Sequence, residues 1–200
     1  MNLSKLIVAA AIVVTLLSSQ MGCSNNSLSN YTTYTDETNS FSLSYPKSWE
    51  PVSAMNIRTI KDEIIKNLAA DFPVEETSLL YMATFKNTTG YSGVNIVVGP
   101  RPSEVYDIEQ VVNREILVLK QQDPDYQEIS RNLTNVSGKV AMLIEYRFHN
   151  SSTNGLFHNL ALVVLSGENI WTLTCSATEE IFSQRLDDFT NITRSFRINN

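Results

Sequence analysis

From Phe41 to Tyr45 apolar and polar residues alternate strictly, with Phe41, Leu43 and Tyr45 set against Ser42 and Ser44. This is the period-two signature of a strand with one buried face. Pro46, with no N–H to donate, ends it. A similar short segment precedes it over 31–40. Strand patterning returns over 78–85 and 93–98 on either side of Asn87-Thr-Thr-Gly90, a turn sequence that predicts a hairpin. It then runs through 126–133, 139–149, 156–166 and 169–177, joined by Asn-Val-Ser-Gly, Asn-Ser-Ser-Thr-Asn-Gly and Ser-Gly-Glu-Asn. Connections this short join antiparallel neighbours.

The period changes to that of a helix in three places. Over 56–70 it brings Ile57, Ile60, Ile64 and Leu68 near one face. After Ser103 or Asp107, either of which can cap the helix, with Gln110 three residues after Asp107, it aligns Ile108, Val111, Val112, Ile116 and Leu119. Over 178–193 it aligns Phe182, Leu186 and Phe189, with Glu179 and Glu180 placed well against the positive end of the helix dipole. Ser195-Phe-Arg-Ile198 reads as a closing strand. The prediction is an α+β domain of largely antiparallel strands with three helices to cover the faces.

The N-terminus follows a different pattern. Lys5, an apolar run from Leu6 to Leu17, and then Ser18-Ser-Gln-Met-Gly22-Cys23 make the three regions of a secretory signal peptide. The run is too short for a membrane-spanning helix, which needs about 20 apolar residues. Gly22-Cys23 resembles the end of a lipobox, although Gln20 stands where that motif usually has Leu. In exported lipoproteins the cysteine thiol is lipidated and becomes the mature N-terminus, and each buried methylene of the lipid contributes ~0.8 kcal/mol to membrane binding. The alternative is cleavage by an ordinary signal peptidase near Ser18 or Gly22, or retention of the segment as a loose anchor, with Cys23 incidental. Residues 24–30 are a polar tether. The expected organisation is a signal peptide over 1–22, a tether over 23–30 and one domain over 31–200, exported and anchored to the outer face of a cell membrane by lipid on Cys23.

Charge narrows the partners. The chain carries 21 acidic and 15 basic residues, a formal net charge of −6, which disfavours nucleic acid and electrostatic docking on anionic lipid. Cys23 and Cys175 are the two cysteines, so no disulfide framework is expected. Asn87, Asn132 and Asn150, among other positions, head Asn-x-Ser/Thr sequons and are candidate glycosylation sites in an exported protein.

Candidate chemistry is sparse. Alternation through Trp171, Leu173, Cys175 and Ala177 predicts a core thiol, inert through burial. His149 and His158 flank the turn over 150–155, and Glu145 shares a face with His149, so the three are candidate ligands for a metal ion. Alternation argues against them: Val140, Met142, Ile144, Tyr146 and Phe148 take the core face, leaving His149 outside with Arg147. No Gly-rich phosphate loop, nucleophile elbow or His-Glu-x-x-His motif occurs. The expectation is a non-enzyme without a cofactor.

Phe41-Ser-Leu-Ser-Tyr45-Pro46-Lys-Ser-Trp49-Glu50 resembles the opening of the PsbP-like domain, related in fold to Mog and DcrB-type proteins. Trp171-Thr-Leu-Thr-Cys175-Ser-Ala, an intervening helix, and Phe189, Ile192, Ser195 and Phe196 agree with that family, so the resemblance spans Tyr31 to Ile198. It implies an antiparallel sheet of about six to eight strands with helices on both faces, an α/β/α sandwich. It also implies a non-catalytic extrinsic protein that binds or helps assemble a membrane or envelope protein complex. The alternative function is an envelope small-ligand or metal-ion binding protein.

Overall fold

A computed structural model describes residues 30–37, 40–51, 81–87, 92–101, 103, 107–150 and 155–199. In chain order the strands and helices are β1 (Tyr31–Asp36), β2 (Phe41–Pro46), β3 (Trp49–Pro51), β4 (Tyr81–Asn87), β5 (Ser92–Pro100), α1 (Ile108–Gln122), β6 (Gln127–Val136), β7 (Lys139–Asn150), β8 (Gly155–Ser166), β9 (Asn169–Thr178), α2 (Glu179–Ser195) and β10 (Arg197–Ile198). Seven strands form one sheet in the order β3-β4-β5-β9-β8-β7-β6, and all its pairings are antiparallel. This is the expected sheet of six to eight strands, and the hairpin expected on either side of Asn87 is β4 and β5. The first two predicted strands and the last leave it to form a separate three-stranded sheet, β1-β2-β10. Ile198 pairs with Phe41 there, so the two ends of the domain close on each other.

Helices cover both faces of the large sheet. On one face lie α2 and the small sheet, enclosing Phe41, Leu43, Trp49, Leu162, Leu173 and Phe189. On the other lies α1, with Val112, Ile116 and Leu119 against Met142, Ile144 and Val163. Burial of each such side chain contributes roughly 1.5–3 kcal/mol. The central strands β5, β9 and β8 are consequently buried on both faces. The polar half of the alternation in β9, Thr172, Thr174 and Ser176, is as dry as its apolar half.

Several local expectations hold. Asp107 caps α1 by accepting the N–H of Gln110 at 2.8 Å. The β6–β7 turn is Ser137-Gly138, with φ of 52° and 79°, the left-handed pair that a tight two-residue hairpin turn requires. Arg131 on the edge strand β6 is tied to α1 through Glu109 and Asn113 and to its own strand through Glu128.

Others are corrected. The stripe of α2 is Phe182, Phe189 and Ile192, while Leu186 is 39% exposed. Val140 is 51% exposed because it lies at the start of β7. The odd-numbered residues of β7 do not point to open solvent: Leu143 packs against the core on the α2 side, and Glu145 and Arg147 follow it on that face. The helix expected over 56–70 and the signal peptide expected over 1–22 lie outside the described residues.

Candidate functional site

His158 stands opposite Arg147 across the β7–β8 ladder, where the sheet meets the first turn of α2. Its side chain is almost wholly buried. Nε2 lies 2.8 Å from Oε1 of Glu145, and Nδ1 lies 3.1 Å from Oε2 of Glu179. The ring is stacked on Phe182, one helical turn beyond Glu179. Arg147 completes the group with a bidentate grip on Glu179, Nε to Oε2 at 2.9 Å and Nη2 to Oε1 at 2.8 Å. The Arg147 guanidinium holds the Glu179 carboxyl below the usual carboxylate range, with His158 adding to the effect. Arg147, His158, Glu145 and Glu179 thus join β7, β8 and the start of α2.

Two of the three candidate metal ligands therefore come together, Glu145 and His158. His149 forms no metal-holding group with them, and its backbone N–H donates to Asp123 Oδ2 in the α1–β6 connection. The carboxylates near His158 bind opposite edges of its ring rather than converging on one point. Among the described residues no group of three His, Cys, Asp or Glu side chains is arranged to hold a metal ion. Glu179, the partner that sequence reasoning misses, is from the sequence alone only a dipole-compensating residue.

A second polar group lies under α1. Glu115 falls in the helix's buried stripe, four residues after Val111 and four before Leu119. Its Oε1 has no protein partner, and the same holds for the Tyr126 hydroxyl and Thr172 Oγ1. All three residues line a cavity of about 10 Å³, the size of one water molecule. Burial pushes the Glu115 carboxyl up to about 8 and raises the Tyr126 and Tyr146 hydroxyls. Helical spacing alone could have revealed Glu115, because it occupies a position that spacing assigns to the core.

Cys175 is fully buried, and burial raises its thiol well above the ordinary value. Asn132 is exposed on β6. The side chains of Asn87 and Asn150 lie outside the described residues, as does Cys23.

This architecture is an antiparallel sheet between α1 on one face and α2 with a small terminal sheet on the other, the class of fold the sequence resemblance implied. The PsbP family model matches residues 29–198, and the chain belongs to that family. The fold is similar to the solution structure of cyanobacterial PsbP (CyanoP) from Synechocystis, with 14% identity, a TM-score of 0.57 and coverage of 89% of this chain and 98% of that one. It is also similar to the crystal structure of LpqN, described as involved in cell envelope biogenesis of Mycobacterium tuberculosis, with 12% identity, a TM-score of 0.52 and coverage of 85% and 91%. A crystal structure from Bacteroides thetaiotaomicron aligns at 10% identity and a TM-score of 0.50 over 86% of this chain and 49% of the other. At such identities the likeness is one of fold. No curated protein matches the chain in sequence.

Proposed function

We propose that this PsbP-family protein is exported, held on the outer face of a membrane by lipid on Cys23, and binds or helps assemble a membrane or envelope protein complex. The supporting observation is a division of the chain. The family match begins at residue 29, just past the lipobox-like Gly22-Cys23 and its polar tether, so domain and anchor use separate stretches. The described involvement of LpqN in cell envelope biogenesis fits the same setting. With its clustered charges paired to one another, the domain offers recognition surfaces rather than reactive groups. Asn132 is exposed on β6, so its sequon side chain is available for modification.

Crosslinking in intact membranes, followed by capture of the tagged chain, tests the reading. The expected result is a reproducible membrane or envelope partner that is recovered with the wild type and depleted with Cys23→Ala. Recovery of no reproducible partner would contradict it. The alternative of a small-ligand carrier is favoured by one observation, an open pocket at the far end of α2.

A further inference from the structure

At the end of α2 opposite the His158 cluster, the fold leaves an open pocket of about 360 Å³. Its apolar part is Val136, Leu143 and Leu162, the first and last of which are core residues. Its polar part comes from the β6–β7 turn and from the exit of α2, where Arg194 and Arg197 stand. Although the chain has six more acidic than basic residues, two arginines and no carboxylate line this pocket.

The hydrogen bonds already made leave the wall rich in donors. Asn135 uses its side-chain oxygen to accept the Gly138 N–H at 2.9 Å, which leaves its amide hydrogens for an acceptor. Ser137 Oγ accepts the Ile198 N–H at 3.2 Å, which leaves its hydroxyl hydrogen to donate. Arg197 Nη1 donates to the carbonyl oxygens of Arg194 and Phe196 at 2.7 and 2.8 Å. That contact fixes the guanidinium at the rim. It also offsets the negative end of α2, which would otherwise repel an anion.

We infer that this pocket is a binding site for a small molecule with a compact apolar body and one oxyanion group, a carboxylate or a phosphate. Leu143 and Leu162 take the apolar body. Arg194, the remaining N–H groups of Arg197, Asn135 and Ser137 take the oxyanion, for which planar guanidinium donors are well matched. The volume lies at the small end of ligand pockets, enough for a body of about one ring and too little for a dinucleotide. The site lies within the domain and is independent of lipid on Cys23.

The test is an amide-resolved NMR titration of the ¹⁵N-labelled full chain in detergent micelles, with benzoate, phenyl phosphate and neutral benzamide as probes. The expected result is saturable shifts confined to residues 134–137 and 193–197 with an anionic probe, binding about tenfold weaker or more for benzamide, and a similar loss of benzoate or phenyl phosphate affinity in Arg194→Gln. Arg194 is exposed, and unchanged shifts elsewhere in the variant establish that it folds. Saturation by benzoate alone assigns the carboxylate class, and saturation by phenyl phosphate alone assigns the phosphate class. Absence of saturable shifts, equal affinity for benzamide, or an affinity unchanged in Arg194→Gln would overturn the inference.

Discussion

The imidazole of His158 lies flat on the ring of Phe182, with 3.5 Å between centroids and 6° between planes. The stack places a strand residue against the first turns of α2 and turns both ring nitrogens edge-on, toward Glu145 and Glu179. His158→Ala removes the stack and the ring nitrogens that face both carboxylates. It should lower unfolding stability by about 1–3 kcal/mol in urea titration. A change below about 0.5 kcal/mol would mean that the cluster contributes nothing to the joint between sheet and helix.

The Arg147–Glu179 pair has a definite pH signature. Because the folded state lowers the Glu179 carboxyl, the pair's stabilisation is present above 4.5, the ordinary value, and is lost as pH falls through the lowered one. A double-mutant cycle with Arg147→Gln and Glu179→Gln should show favourable coupling at pH 7 that fades on acidification. The magnitude should be small, since both side chains are about one-third exposed. Coupling that does not weaken anywhere below pH 4.5 would contradict this assignment.

Glu115 acts in the opposite sense. Its folded-state value near 8 exceeds the ordinary 4.5, so between those values the folded chain retains a proton that the unfolded chain releases. Stability should fall as pH rises through that window, by up to ~1.4 kcal/mol per pH unit, and level off above it. Glu115→Gln keeps the shape, removes the titration and should be the more stable protein at pH 8. Denaturant midpoints at pH 5, 6, 7 and 8 measure both slopes. Identical slopes in the two proteins would exclude Glu115 as their source.

Phe189 and Leu186 share the helical stripe read from the sequence, but the structure separates them. Phe189 is fully buried, edge-on to Trp49 at 6.1 Å and tilted against Phe182 at 5.6 Å. Leu186 is 39% exposed. Phe189→Ala should cost about 3–5 kcal/mol, and Leu186→Ala about 0.5 kcal/mol or less. Similar losses at the two positions in thermal or urea unfolding would contradict the observed rotation of α2.

The contrast between these residues shows what was legible in the chain. Local periodicity identified the strands, the Asp107 cap and the hairpin over β4 and β5, because each depends on neighbours in sequence. Alternation in β7 and β9 was read as one buried face and one wet face. That reading fails where α1 covers Thr172 and Thr174 and where α2 covers Glu145 and Arg147, since a second covering layer changes burial without changing the pattern. The pairing of His158 with Glu179 depends on how α2 leaves β9. The arginine-lined pocket joins residues 134–143 with 193–197, a convergence that spacing along the chain does not encode. Glu115 is different: its helical position carried the signal, and its charge concealed it.

The proposed function depends most on Cys23, the residue proposed to carry the lipid that couples the domain to a membrane. Mass spectrometry of the N-terminal fragment, taken from the native protein extracted from membranes, tests that dependence directly. The account predicts a fragment that begins at Cys23 and carries the added mass of a lipid. A fragment with unmodified Cys23, or one that begins at another residue, would contradict it.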